Sequence, residues 1–322
     1  RDNTTVVYNS SNLTGQEVLG GFTYRNLTIG GLTANPASPD VLKTIVAHTA
    51  GDPANVGDLT VDLALLVESG NHFKDDGWQI TGATGTGGFT METNSLLTLD
   101  DRAGVSTEFP INYLRADISF ANNSEVIYNG DFTQNISKEP VYYDITATAP
   151  VTTASFALVD KIFMPANGAG ETIAIRNEFE INPHNHVWDN GTQINNSVGP
   201  AGSIIMNSTG VEDGLSKLSI GTDLTATQFP TNFNSYVLND FTTVAYVADP
   251  LQQVKGLNAG GATGSYYDLI LTKTVAAFTI KYLDETTIIR NDFTLEDNIW
   301  LADNDYQITG NTTGDMFMGD GS

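Results

Sequence analysis

One nine-residue string returns at a fixed interval. It reads KDDGWQITG at 74–82, WDNGTQINN at 188–196 and ADNDYQITG at 302–310, so that Asp75, Asp189 and Asp303 stand 114 residues apart. Self-similarity at a fixed period marks an array in which copies of one supersecondary unit stack on one another. The match extends upstream without a gap through GDLTVDLALLVE at 57–68, ETIAIRNEFEIN at 171–182 and ETTIIRNDFTLE at 285–296. Further out, TTVVYNSSNLTGQEV from Thr4, SEVIYNGDFTQNI from Ser124 and TTVAYVADPLQQV from Thr242 share a Val, a Tyr and a later Gln, now at offsets of 120 and 118. TYRNLTI at 23–29 answers to VYYDITA at 141–147 and SYYDLIL at 265–271, and STEFPINY at 106–113 answers to ATQFPTNF at 226–233. The repeat units are therefore 1–123, 124–241 and a partial third, 242–322, as expected of a segment of a longer repetitive protein.

Apolar residues follow a period of two, the signature of half-buried strands. Ile173, Ile175, Phe179 and Ile181 are expected to face a core, with Ala174, Arg176, Glu178 and Glu180 on the other side. The first copy repeats the inward row with Leu59, Val61, Leu63, Leu65 and Val67, and the third with Ile289, Phe293 and Leu295. Asn177 and Asn291 interrupt that row at one shared position, which reads as a corner. No stretch of twelve or more residues carries a capped helical pattern, so the chain is all-β. Strand-like segments centred near Leu27, Ile45, Val61, Ile80, Leu97 and Ile118 are 16 to 21 residues apart. Coils of that length suit a right-handed parallel β-helix, a solenoid with about six coils in each repeat unit. Tandem β-sandwich domains are the alternative, for which Asn129-Gly130 and Asn190-Gly191 supply hairpin signals.

Composition limits the partners. Lys and Arg number 14 against 38 Asp and Glu, a formal charge of −24, which opposes nucleic acid and anionic lipid. Without cysteine there is no disulfide framework, thiolate metal site or thiol nucleophile. No apolar run approaches bilayer-spanning length, so membrane insertion is not expected. Asn-x-Ser/Thr acceptor sites stand at Asn3, Asn9, Asn12, Asn26, Asn122, Asn135, Asn190, Asn195, Asn207 and Asn311.

The ordered motifs, with Val7, Tyr8, Tyr24, Asp76, Gln79, Ile80, Thr81, Phe109 and Pro110 in the first unit and their counterparts later, resemble very large secreted surface proteins of Bacteroidota. Those are parallel β-helix proteins exported through the type IX system. The resemblance spans essentially the whole chain. It implies an extracellular or cell-surface adhesin, stalk or filament, with a gliding-motility adhesin among the members, and it brings no catalytic residues. The partners implied are other domains of a larger parent chain, surface glycans and other surface proteins.

Candidate chemistry is sparse. Asp75, Asp76, Asp189, Asn190, Asp303, Asn304 and Asp305 place oxygen ligands at one loop per unit, the donor type that Ca²⁺ requires. Asx side chains equally suit a polar turn, and the spacing is not that of an EF-hand. The expectation is no cofactor, with Ca²⁺ as the alternative. His184 and His186 in PHNH offer two metal ligands without a third, and His186 aligns with His72 and Trp300, a packing position. The glycine loops at 81–88 and 257–264 lack the Lys and the strand-to-helix context of a phosphate loop. Trp78, Trp188, Trp300, Tyr142, Tyr143, Tyr266 and Tyr267 could stack on sugars, yet Tyr142 aligns with Tyr24 and Tyr266, as in a structural ladder. Catalysis needs a constellation that breaks the repeat, and none stands out among the acids. The sequence therefore reads as a non-catalytic structural or adhesive shaft. The alternatives are a carbohydrate-binding or polysaccharide-cleaving β-helix, or a surface filament of sandwich domains.

Overall fold

A computed structural model describes residues 4–10, 15–31, 41–47, 57–83, 87–102, 104–150, 158–164, 172–199, 201–211, 215–259, 263–275, 278–310 and 314–319. Among these the chain is all-β: one 3-10 turn, Arg115–Asp117, accompanies short strands paired in long parallel sheets. The sandwich alternative needs antiparallel sheets. Among the described residues the antiparallel pairing is the small hairpin of Asp101–Arg102 with Val105–Ser106 and a single bridge between Val237 and Thr263. The chain forms two compact units, 1–146 and 147–322.

In the first unit one sheet holds, in spatial order, Thr5–Tyr8, Thr23–Ile29, Leu59–Val67, Gly88–Met91 and Ile118–Phe120. A second holds Gln16–Leu19, Val41–Val46, Asn71–Lys74, Leu96–Leu99, Glu125–Tyr128 and Val141–Ala147. The chain visits the sheets in turn, so each strand settles beside the one laid down a visit earlier. Parallel neighbours need long connections, and the strand in the opposite sheet supplies them. Inward rows are aliphatic and aromatic: Leu27, Leu65 and Phe89 stand in register on one sheet, and Phe73, Leu97 and Val126 on the other, all fully buried.

In the second unit Thr172–Ile181, Ser203–Met206 and Ser235–Leu238 are neighbours. Val159–Phe163, Asn185–Trp188, Ser216–Ile220, Thr242–Tyr246, Asp268–Leu271, Phe293–Leu295 and Met316–Met318 form a longer sheet. Gln252–Val254, Thr279–Leu283 and Ile299–Ala302 form a third.

The expected corner is present in every copy. Thr172–Ile175 pairs with Gln193–Asn196 while Glu178–Ile181 pairs with Ser203–Met206, so the strand bends around Arg176 and Asn177. Leu59–Val61 and Ala64–Val67 divide likewise between Ile80–Gly82 and Gly88–Met91, and Thr287–Ile289 and Phe293–Leu295 between Ile308–Gly310 and Met316–Met318. The neighbouring chain passes so close to this bend that a Cβ at Gly202 would lie 1.7 Å from the Asn177 carbonyl oxygen.

Three expectations change. Leu63, assigned inward, is 37% exposed, because it occupies the corner position of the first copy. The register slips by one residue there: Tyr24 faces Val61, but Asn26 faces Ala64. Ala174, assigned outward, is 4% exposed, its methyl being shorter than the side chain of Asn195 in register beside it. The spacing of 16 to 21 residues measures steps between sheets rather than returns to one sheet. Partners within the first sheet lie from 21 residues apart (Thr5 with Asn26) to 38 (Asn26 with Ala64), so six coils per repeat is too many.

The repeat also fails to return to its own sheet. Thr5–Tyr8 belongs to the first sheet of unit one, while its counterpart Glu125–Tyr128 belongs to the second. In unit two Asn185–Trp188 lies in the long sheet and its counterpart Ile299–Ala302 in the third. One repeat therefore advances the chain by one sheet.

Candidate functional site

The loop that announces the repeat is organised by its first aspartate. After the strand Asn71–Lys74 the chain turns through Asp76 and Gly77, both at positive φ (53° and 76°), values that Asx residues and glycine tolerate. Asp75 is buried beneath the turn. Its Oδ1 accepts the N–H of Gly77 at 3.0 Å and of Asp100 at 2.8 Å, and its Oδ2 meets the Thr107 hydroxyl. Asp189 repeats this with the N–H of Gly191 at 3.0 Å, the N–H of Gly221 at 2.8 Å and the hydroxyl of Thr227. Burial pushes both carboxyls up to about 7, and the donors only partly offset that desolvation. Each aspartate thus ties its own turn to segments 25 to 38 residues further on.

The other calcium candidates are placed differently. Asp76 pairs with Lys74 at 3.4 Å, and Lys74 also reaches Asp100 at 2.8 Å. Asp303 and Asp305 are exposed, and the Asp305 N–H donates to Asp303 Oδ1 at 3.2 Å. No group of three or more His, Asp or Glu able to hold a metal exists among the described residues. Since a metal bound only by the native state stabilises it by mass action, chelation is expected to shift the melting temperature by less than roughly 1 °C. A large drop with EDTA, restored by calcium and absent after replacing Asp75, Asp189 and Asp303, would make these loops calcium sites.

His184 and His186 do not share a strand face, since His184 lies in the turn at φ 66°. His186 lies on the following strand, where Nδ1 is 2.9 Å from Asp160 Oδ1 and Nε2 is 2.8 Å from Ser219 Oγ. No local signal marks this Asp–His–Ser line, because its members are brought together by the parallel register of three strands 26 and 33 residues apart. Such a line is the arrangement of an activated serine. Access is what it lacks. Ser219 is 3% exposed, in register beside Trp188, whose indole N–H donates to the Gly221 carbonyl at 2.8 Å. The first copy contains the same bond, His72 Nε2 to Thr98 Oγ1 at 2.8 Å, with Leu42 in register where the second has Asp160. Burial, followed by Lys217, lowers the pKa of His186 and outweighs Asp160.

The aligned tyrosines are interior. Tyr142 and Tyr266 are fully buried, and each bonds a second repeated tyrosine: Tyr128 to Tyr142 at 2.8 Å, and Tyr246 to Tyr266 at 2.9 Å. Tyr8 and Tyr24 repeat the pair at 3.0 Å. In each pair the later hydroxyl donates to a carbonyl, that of Leu19, Ser137 or Lys255. A second interior element escaped the sequence reading: Lys43, Lys161 and Lys281 occupy matching inward positions and are fully buried. Lys281 Nζ donates to the Ala248 carbonyl and to Gln252 Oε1, and Lys43 Nζ to the Ser10 carbonyl at 2.9 Å. Trp300 is exposed and packs edge-on to Phe278 at 4.6 Å.

Several glycosylation-type asparagines are already engaged. Asn135 donates to Glu108 at 2.7 Å, Asn190 to the Phe163 carbonyl at 3.2 Å, and Asn207 to Asn182 at 3.1 Å. Asn3, Asn12, Asn311 and the glycine-loop segments 84–86 and 260–262 lie outside the described residues. No helix among the described residues is long and apolar enough to cross a membrane. No family model, curated protein or solved structure matches the chain.

Proposed function

We propose that the chain is a right-handed parallel β-helix segment serving as a non-catalytic shaft, rigid spacer or adhesive stalk, in a large repetitive extracellular surface protein. The reading joins it to the type IX-exported surface proteins of Bacteroidota that its motifs resemble, gliding adhesins among them. The observation that carries it is the recurrence of a structural kit: the bent strand, the hydrogen-bonded tyrosine pair and the inward lysine occur in every copy, and the buried aspartate hub in the first two. Repeat architectures use such elements to hold neighbouring layers in register. The constellation most like a catalytic centre, Asp160–His186–Ser219, has a covered serine, and its His–hydroxyl bond recurs in the first copy as His72–Thr98. An acidic surface also keeps neighbouring shafts apart.

Two results are expected together. The isolated chain should not cleave pectin, alginate, chitin, glycosaminoglycans or a simple activated ester, and a fluorophosphonate should leave Ser219 unlabelled. Deleting whole repeats from the parent should shorten its reach or abolish surface attachment. Hydrolysis that vanishes with Ser219→Ala or with loss of one acidic pair would sink the proposal, as would unchanged attachment and reach after deletion.

A further inference from the structure

The first unit contains one pair of side chains, Trp78 and Arg102, that the second copy replaces with Thr192 and Thr222. At the position of Thr192 and Tyr306 the first copy carries Trp78, and beside it stands the antiparallel pair of Asp101–Arg102 with Val105–Ser106. The hairpin closes on the Asp75 loop because residue 77 is glycine: a Cβ there would lie 2.4 Å from that of Arg102 and 2.5 Å from the Asp101 carbonyl carbon. Between them is a cleft of about 540 Å³, lined by Asp58, Trp78, Gln79, Arg102, Ser106 and Thr107 among others. That volume lies within the range of small-molecule sites.

Its polar groups are unevenly committed. The Arg102 guanidinium lies 4.0 Å from the centre of the Trp78 ring and, among the described residues, has no carboxylate partner. An exposed cation left unpaired in a chain of formal charge −24 is a vacancy for an anion. The planar fork of an arginine placed over an indole suits a carboxylate in particular. Asp58 is exposed and spends one oxygen on the Gln79 N–H at 3.0 Å, which leaves the other free to accept. Ser106 lines the cleft, and because its proton goes to the Phe132 carbonyl at 3.0 Å, its oxygen has acceptor capacity left. Gln79 is occupied, bonding Ile80 and Glu108 through both ends of its amide. The cleft therefore offers one cationic fork and two acceptors of O–H bonds.

We propose that this cleft binds a hydroxylated sugar acid, a uronate unit, with its carboxylate on Arg102 and its hydroxyls donating to Asp58 and Ser106. A neutral sugar lacks the first contact, and a simple carboxylate lacks the second. The site is independent of whether the rest of the chain is a shaft.

Titration of the intact chain with oligogalacturonate, followed by Trp fluorescence and calorimetry, tests this. The expected result is saturable binding, weakened at least tenfold by Arg102→Ala, weakened less by Asp58→Asn, and not restored by Arg102→Lys, which keeps the charge but not the fork. Neutral gluco-oligosaccharides and acetate should compete poorly. Both Arg102 and Asp58 are exposed, so unchanged melting curves will show that the variants are folded. Absence of saturable uronate binding, equal binding by Arg102→Ala, or equally tight binding of a neutral oligosaccharide would each overturn the proposal. None of these outcomes bears on the hydrolysis and deletion tests above.

Discussion

Acidification from pH 7.5 to pH 5 is expected to raise the melting temperature of this protein, most cleanly in its first unit. Burial pushes Asp75 up to about 7, whereas an unfolded aspartate titrates near 3.9. Between those values the native state keeps a proton that the unfolded chain has released, so stability is fully present below about pH 4 and is lost as pH rises through 7. One pKa unit is about 1.4 kcal/mol, so this displacement of roughly three units is worth up to about 4 kcal/mol. The geometry agrees. Thr107 has one hydroxyl proton and two acceptors, Asp75 Oδ2 and the Asp100 carbonyl at 2.9 Å. A proton on Asp75 satisfies both bonds, with Oδ2–H donating to Thr107 and Thr107 donating to Asp100. Asp189 adds the same dependence in the second unit. There His186 opposes it below about pH 6.5, because its lowered pKa makes the native state resist a proton that the unfolded chain accepts.

Alkaline titration reverses the slope. Burial lowers Lys43 to about 8 and Lys281 to about 7, so each contributes stability that is full above the unfolded pKa of about 10.4 and lost as pH falls through the native value. The stability curve should therefore have a minimum near neutrality, and calorimetry between pH 4.5 and 10 will trace it. In Asp75→Asn the acid limb should flatten in the first unit. A melting temperature that falls steadily from pH 7.5 to 5 would mean that Asp75 and Asp189 are native-state carboxylates of ordinary pKa.

Phe179→Ala is expected to destabilise the second unit by about 3–5 kcal/mol, the range for truncating a fully buried phenylalanine. Phe179 is completely buried, packs edge-on against Phe163 at 5.8 Å, and stands in register with Ile204 on the next strand. Its flanking acids behave oppositely: Glu178 and Glu180 are half-buried, and Glu178 accepts the Ser203 hydroxyl at 3.0 Å. Glu178→Gln should cost less than about 1 kcal/mol, since surface substitutions away from special features are small. Urea unfolding of both variants measures the contrast. Equal effects would mean that the strand is turned the other way.

Much of the fold was legible because it is local. The period of two in 171–182 identifies Ile173, Ile175, Phe179 and Ile181 as core, and Asn177 marks the bend. Leu63 misled because an apolar residue carries no sign that its backbone turns a corner. The interval between strand-like segments misled for a topological reason. Leu27 and Ile45 are neighbours in sequence but lie in different sheets, and only the pairing shows which strand returns to which. Interior polar groups were the least legible. Lys43 sits at an inward position of VLKTIV, and nothing local announces the Ser10 carbonyl that accepts its proton. The Asp75 hub looked like a polar turn from its neighbours, whereas Thr107 is 32 residues away. The Trp78–Arg102 pair was illegible because the matching positions of the second copy carry Thr192 and Thr222, so no repeat comparison could supply it.

Because one repeat carries the chain onward by one sheet, duplicating it does more than lengthen the protein. Within unit two the residues after Trp188 and those after Ala302 are copies, yet they leave from different sheets and so point in different directions. The core tolerates this, since every sheet presents the same aliphatic row inward. The outside does not repeat in the same way: within a unit, a surface patch gained by duplication lies on another sheet than its parent. Adding or removing a few residues between anchors, as the offsets of 114, 118 and 120 show has happened here, is then a means of re-aiming a display without redesigning the interior.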